Sequence, residues 1–66
     1  MHIILNGENT TITNNSTVQD LLNQFNLDLK KVAVEINKNL IQHCNFATTT
    51  IHNGDCIEIV HFIGGG

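Results

Sequence analysis

Gly64, Gly65 and Gly66 stand at the C-terminal end of the sequence, directly after Cys56-Ile57-Glu58-Ile59-Val60-His61-Phe62, a run that reads as a β-strand. A carboxylate on residues without side chains, hung from a folded strand, is the first group here with chemistry to offer. Glycines let a backbone enter a narrow channel without Cβ clashes, and they adopt φ values that other residues resist. The expected reactive group is therefore Gly66, with Gly64 and Gly65 as its lead. A carboxylate is itself a poor electrophile. Turned into an acyl-phosphate anhydride it gains a good leaving group, provided that a partner brings the C-terminal carbon within near-attack distance.

The rest of the chain offers no machinery for that activation. There is no Gly-x-x-x-x-Gly-Lys-Ser/Thr phosphate loop. There is also no arginine, the residue of choice for a bidentate grip on phosphate. The chain is expected to bind no cofactor and to serve as a co-substrate rather than an enzyme, with ATP held by the partner. Cys44 and Cys56 are the other nucleophile candidates. Neither has a neighbouring Lys or Arg to activate it, and no Cys-x-x-Cys is present, so both read as structural or incidental thiols. His43, Cys44, His52 and Cys56 are the set from which a zinc site could be assembled. Zinc ligands usually come as spaced pairs. Here His43 and Cys44 are adjacent, while His52 and Cys56 flank a turn, so no metal is expected. His2 and His61 read as ordinary strand residues.

Composition narrows the class further. Sixty-six residues make one small domain, and a domain of this size buries only about 60% of the surface its unfolded chain exposes. A hydrophobic fraction of 41% suits a folded chain, and a charged fraction of 14% is too low for a disordered one. Lys30, Lys31 and Lys38 are the only fixed cations, and the net charge is −3. That argues against nucleic acid as a partner and is compatible with docking on a basic protein face. No apolar run approaches the ~20 residues of a membrane span, and Met1-His2-Ile3-Ile4-Leu5 is too short for a signal-peptide core. The expectation is a cytoplasmic chain with both thiols reduced, monomeric when free. Asn9-Thr10-Thr11, Asn14-Asn15-Ser16 and Asn15-Ser16-Thr17 match the glycosylation pattern, as chance matches in an Asn- and Thr-rich sequence.

The elements that must position the glycines can be read in order. Residues 2–6 are apolar and β-branched, which favours a strand with Ile3 and Leu5 on one face and Ile4 on the other. Asn6-Gly7 suits a type I′ hairpin turn, and Glu8 to Thr13 reads as the return arm. Ser16-Thr17 offers an N-cap, with Gln19 or Asp20 as capping-box partner. Val18, Leu21, Leu22 and Phe25 follow at helical spacing, as a core-facing stripe. This helix should fade around Asn26. Val32, Val34 and Ile36 alternate with Ala33, Glu35 and Asn37 as a half-buried strand. Asn37-Lys38-Asn39 is a turn and Leu40-Ile41 a short return strand. Gln42 to Thr50 is irregular, with Phe46 plugging the core. Asn53-Gly54-Asp55 turns into the final strand, which carries Ile57 and Ile59 on one face and Cys56, Glu58, Val60 and Phe62 on the other. The predicted fold class is α+β: a small mixed sheet with one helix packed across it, in the order β-β-α-β-β-β. Residues 1–62 form the domain and 63–66 a flexible glycine tail.

With the elements in this order, the chain resembles the ubiquitin-like β-grasp sulfur carriers of thiamine biosynthesis, the ThiS family. The resemblance lies in Ile3-Ile4-Leu5-Asn6-Gly7, Thr17-Val18-Gln19-Asp20-Leu21-Leu22, Val32-Ala33-Val34-Glu35-Ile36-Asn37, and Gly54-Asp55-Cys56-Ile57-Glu58-Ile59-Val60 leading to Gly64-Gly65-Gly66. It implies a parallel pairing between the first and last strands. It also implies that an adenylyltransferase related to ubiquitin-activating enzymes converts the Gly66 carboxylate to an acyl-adenylate at the expense of ATP. Sulfur, supplied indirectly by a cysteine desulfurase, would then displace AMP to give a thiocarboxylate, which donates its sulfur to thiazole synthase.

Val60, Phe62 and Ile63 lie beside the glycines. If their face is exposed, it forms an apolar patch of the kind that marks a docking site. They are expected to seat the chain on its partners, with Glu58 and Asp55 adding charge contacts. Three other functions fit the same residues: a carrier of the molybdopterin-synthase small-subunit type, a ubiquitin-like modifier joined to lysines through Gly66, and a β-grasp binding module without covalent chemistry.

Overall fold

The computed structural model describes residues 1–62. Five strands and one α-helix follow one another as β1 (His2–Leu5), β2 (Glu8–Thr11), α1 (Val18–Gln24), β3 (Val32–Ile36), β4 (Asn39–Ile41) and β5 (Cys56–His61). Short 3₁₀ turns at Leu29–Lys31 and His43–Asn45 precede β3 and follow β4. The single sheet has the order β2-β1-β5-β3-β4. The last strand therefore lies in the middle, parallel to β1 and antiparallel to β3. The remaining pairs are the two hairpins, β1 with β2 and β3 with β4.

Local chemistry sets the boundaries. Asn6 and Gly7 have φ of 49° and 82°, the left-handed pair that a type I′ turn requires. The turn between β3 and β4 repeats the device with Asn37 and Lys38, at φ of 51° and 72°. Thr17 caps α1. Its hydroxyl accepts from the Asp20 N–H at 3.1 Å, and the Asp20 carboxylate accepts from the Thr17 N–H at 3.0 Å. Asp20 rather than Gln19 is thus the partner in the capping box. Ser16 is instead buried, with its hydroxyl donating to the Thr13 carbonyl at 2.7 Å.

At the other end, Asn26 takes φ of 57°. The Leu27 N–H donates to the Leu22 carbonyl at 2.9 Å, and the Asn26 N–H to that of Asn23 at 3.1 Å. These two bonds make a Schellman motif, with Asn in the left-handed position. The motif corrects one expectation. The helix stops at Gln24, Phe25 becomes its C-cap and is 42% exposed, and Leu27 turns back against the core in its place.

The core fills the space between α1 and one face of the sheet. Val18, Leu21 and Leu22 of the helix meet Ile3, Val32, Val34 and Ile57 of the three central strands. Ile12, Phe46 and Ile51 close the edges from the loops. Ile51 carried no sequence pattern. It is placed by its N–H, which donates to the Ser16 carbonyl at 2.8 Å, and by the adjoining bridge between Thr17 and Thr50.

Candidate functional site: the outer face of the last strand

β5 is held on both flanks. Against β3 it pairs along its length, from Ile57 opposite Ile36 to His61 opposite Val32. Against β1 the pairing is short, with Ile4 beside Cys56 and Leu5 beside Ile57. Side chains from the two hairpin turns extend it. The Asn6 amide oxygen accepts from the Ile59 N–H at 2.8 Å, one residue pair beyond the end of β1. On the other flank, the Asn37 oxygen accepts from the Cys56 N–H at 3.0 Å, and its amide nitrogen donates to Asp55 at 3.0 Å. The second Asp55 oxygen accepts from the His52 N–H at 2.8 Å. Asp55 is therefore engaged within the chain at both oxygens. Neither asparagine stood out in the sequence beyond its turn propensity. What they add is a fixed position for the strand that leads to the glycines.

The face of β5 turned away from the helix is open. Val60 is 59% exposed, Phe62 is 46% exposed, and Glu58 and Cys56 are exposed as well. Val60 sits opposite Ala33, a side chain too short to cover it. Glu58 sits opposite Glu35, and Glu35 opposite Leu40 of β4. Leu40 is 61% exposed and extends the apolar patch across the sheet. Sequence reading missed it, because a three-residue edge strand shows too little alternation to assign a face. The Glu35–Glu58 pair sets two like charges directly across from each other, which costs roughly 0.2–1 kcal/mol in an isolated sheet. The face thus joins uncovered apolar surface to a concentration of negative charge. Ile63, Gly64, Gly65 and Gly66 lie outside the described residues.

The other candidates are dispersed. Cys44 and Cys56 are free and exposed. His43 donates through Nε2 to the Val32 carbonyl at 2.9 Å, and His2 approaches the Thr11 hydroxyl at 3.4 Å. Among the described residues, no group of three or more His, Cys, Asp or Glu is placed to hold a metal ion. No helix among them is long and apolar enough to cross a membrane.

A five-stranded mixed sheet with a parallel pair at its centre and one helix across a single face defines a β-grasp domain. The ThiS family model matches residues 3–66. The chain is 46% identical over 50 residues to the sulfur carrier protein ThiS of Bacillus subtilis, covering 76% of each chain. It is 39% identical over all its 66 residues to a thiazole synthase of Paramagnetospirillum magneticum. There it spans a fifth of the relative's length, as it does for a second thiazole synthase. The crystal structure of a thiamine biosynthesis protein, ThiS, from Geobacter metallireducens superposes with a TM-score of 0.86 at 30% identity, covering both chains completely. The chain belongs to the ThiS family.

Proposed function

We propose that this chain is a sulfur carrier of thiamine biosynthesis and that its transferable sulfur is borne on Gly66. The observation that carries the reading is the extent of the family match. It runs through the glycine triplet to residue 66, so the triplet belongs to the family pattern as much as the sheet does. The steps are those that membership of the family implies for a C-terminal carboxylate. An oxygen of the Gly66 carboxylate attacks the α-phosphorus of ATP on a partner adenylyltransferase, and pyrophosphate leaves. A persulfide sulfur originating from a cysteine desulfurase then attacks the acyl carbon and AMP leaves; a thiol reductant cleaves the resulting S–S bond, is itself oxidised to a disulfide, and frees the thiocarboxylate. Sulfur is more polarisable than oxygen, so the product is a better nucleophile than the carboxylate it replaces.

In this reading the chain is a substrate of its partners and holds no ATP itself. Thiazole synthase, the name of two longer relatives, is the proposed acceptor, and the cytoplasm the proposed compartment. The outer face of β5, with Val60, Phe62, Leu40 and Glu58, is the proposed seat, joined by Ile63 and leading to Gly64 and Gly65. Exposed apolar surface beside the like-charged Glu35 and Glu58 fits a partner face with an apolar centre and a cationic edge.

The test is intact mass after incubation with ATP, the adenylyltransferase and a sulfur source. The expected product has one oxygen replaced by one sulfur, and a chain lacking Gly65 and Gly66 stays unmodified. Transfer of the intact acyl group to lysines of other proteins, with no sulfur gained, would replace this reading with that of a protein modifier.

A further inference from the structure

The helix side of the molecule holds a groove that sulfur transfer does not explain. Gln19 of α1, Leu29 and Lys30 before β3, and His43 and Phe46 after β4 line a space of about 310 Å³, at the lower end of the usual range for binding pockets. Its walls are set in advance. The Gln19 N–H donates to the Phe46 carbonyl at 2.9 Å and ties the helix to the loop. The His43 ring lies against that of Phe46, with centroids 4.9 Å apart, and its Nε2 is held on the Val32 carbonyl. Phe46 is buried and Leu29 half-buried, so the floor is apolar. Lys30 stands exposed on the rim with Lys31 next to it. These are two of the three fixed cations in a chain of net charge −3.

The groove also adjoins the end of β5. The Phe62 N–H donates to the Lys31 carbonyl at 2.7 Å. His61 pairs with Val32, the residue whose carbonyl His43 holds. The groove and the outer face thus approach the end of this strand from opposite sides of the sheet, one with Lys30 on its rim and the other with Glu35 and Glu58.

We propose that the groove is a second contact for the adenylyltransferase and receives from it an apolar side chain flanked by a carboxylate. The identity of the partner rests on the sulfur-carrier reading; the chemistry of the occupant rests on the groove. Lys30 selects an anion, and the apolar floor selects a side chain over a bare phosphate. A partner that draws Gly66 into its own site must fix the direction of β5, and a grip on both faces of the sheet does so. The opposed charges also reject the reversed orientation, which would set like charges together on both faces.

Affinity of the purified adenylyltransferase for the full chain, measured by calorimetry at low and high salt, tests this. Lys30→Glu is expected to weaken binding by about tenfold or more, and Lys30→Gln by less, with a flatter salt dependence. Lys38→Glu, on the β3–β4 turn away from the groove, should stay within about twofold of the parent chain. Circular dichroism establishes that each variant is folded, and exposed Lys30 leaves the core intact. Unchanged affinity in folded Lys30→Glu overturns the groove contact and leaves the carrier reading standing. A parent chain that neither binds the adenylyltransferase nor gains sulfur overturns both.

Discussion

Asn37 and Lys38 share a left-handed backbone and differ in what they gain from it. Asn37 uses φ of 51° to aim its amide at β5, where it accepts from Cys56 and donates to Asp55. Lys38, at φ of 72°, bears the steric cost of the conformation, roughly 1–2 kcal/mol for a residue with a Cβ. Glycine suits both angles, so it separates the two effects. Asn37→Gly should destabilise the domain by about 1–2 kcal/mol, the net worth of two side-chain hydrogen bonds with a small entropic addition. Lys38→Gly should stabilise it by up to about 1 kcal/mol, the relieved strain less the entropy of the unfolded glycine. Urea denaturation of the two variants beside the parent measures both; a loss of stability in each would show that Lys38 holds a contact of its own. Asn6 matches Asn37 on the other flank. Both residues at this scale serve less as turn formers than as guides for the strand between them.

At the scale of elements, α1 depends on its ends. Seven residues are too few for a helix to persist by propensity, so its two caps and its buried face must hold it. Thr17→Ala removes the acceptor for the Asp20 N–H and should cost about 1 kcal/mol, read as a lower thermal midpoint, with Thr17→Ser restoring most of the loss. Such local devices are what the sequence makes legible. Asn6-Gly7, Thr17 with Asp20, and the alternation of Val32, Val34 and Ile36 each act through bonds between near neighbours, so each element could be placed from a few residues. Phe25 shows the limit. Its spacing fits the stripe, but a cap formed by Asn26 and Leu27 ends the helix one residue earlier. Ile51 and Leu40 show another, because one residue in a loop or a three-residue strand gives no period to read. The insertion of β5 between β1 and β3 joins segments far apart in the chain, and only the family resemblance gave half of it, the parallel pair. The groove was not legible at all, since its five lining residues come from three separate stretches.

For the molecule as a whole, smallness governs. A chain of this length commands only about 3–10 kcal/mol of folding free energy, spread over a core of ten buried apolar residues among those described. Leu22 is completely buried, and Leu22→Ala should cost about 2–5 kcal/mol. That is a large fraction of the total, so the urea midpoint should fall by a comparable fraction; a midpoint near that of the parent would mean that neighbouring side chains collapse into the space. The same economy explains the open face of the sheet. Among the described residues one helix covers one side, and the other is left exposed. The order of the strands has a consequence for synthesis. The middle of the sheet is made after both of its neighbours, so a nascent chain broken off before Cys56 consists of two hairpins with no edge in common. Translation products that stop short of the last strand therefore cannot close the sheet, whatever the quality of the hairpins already made.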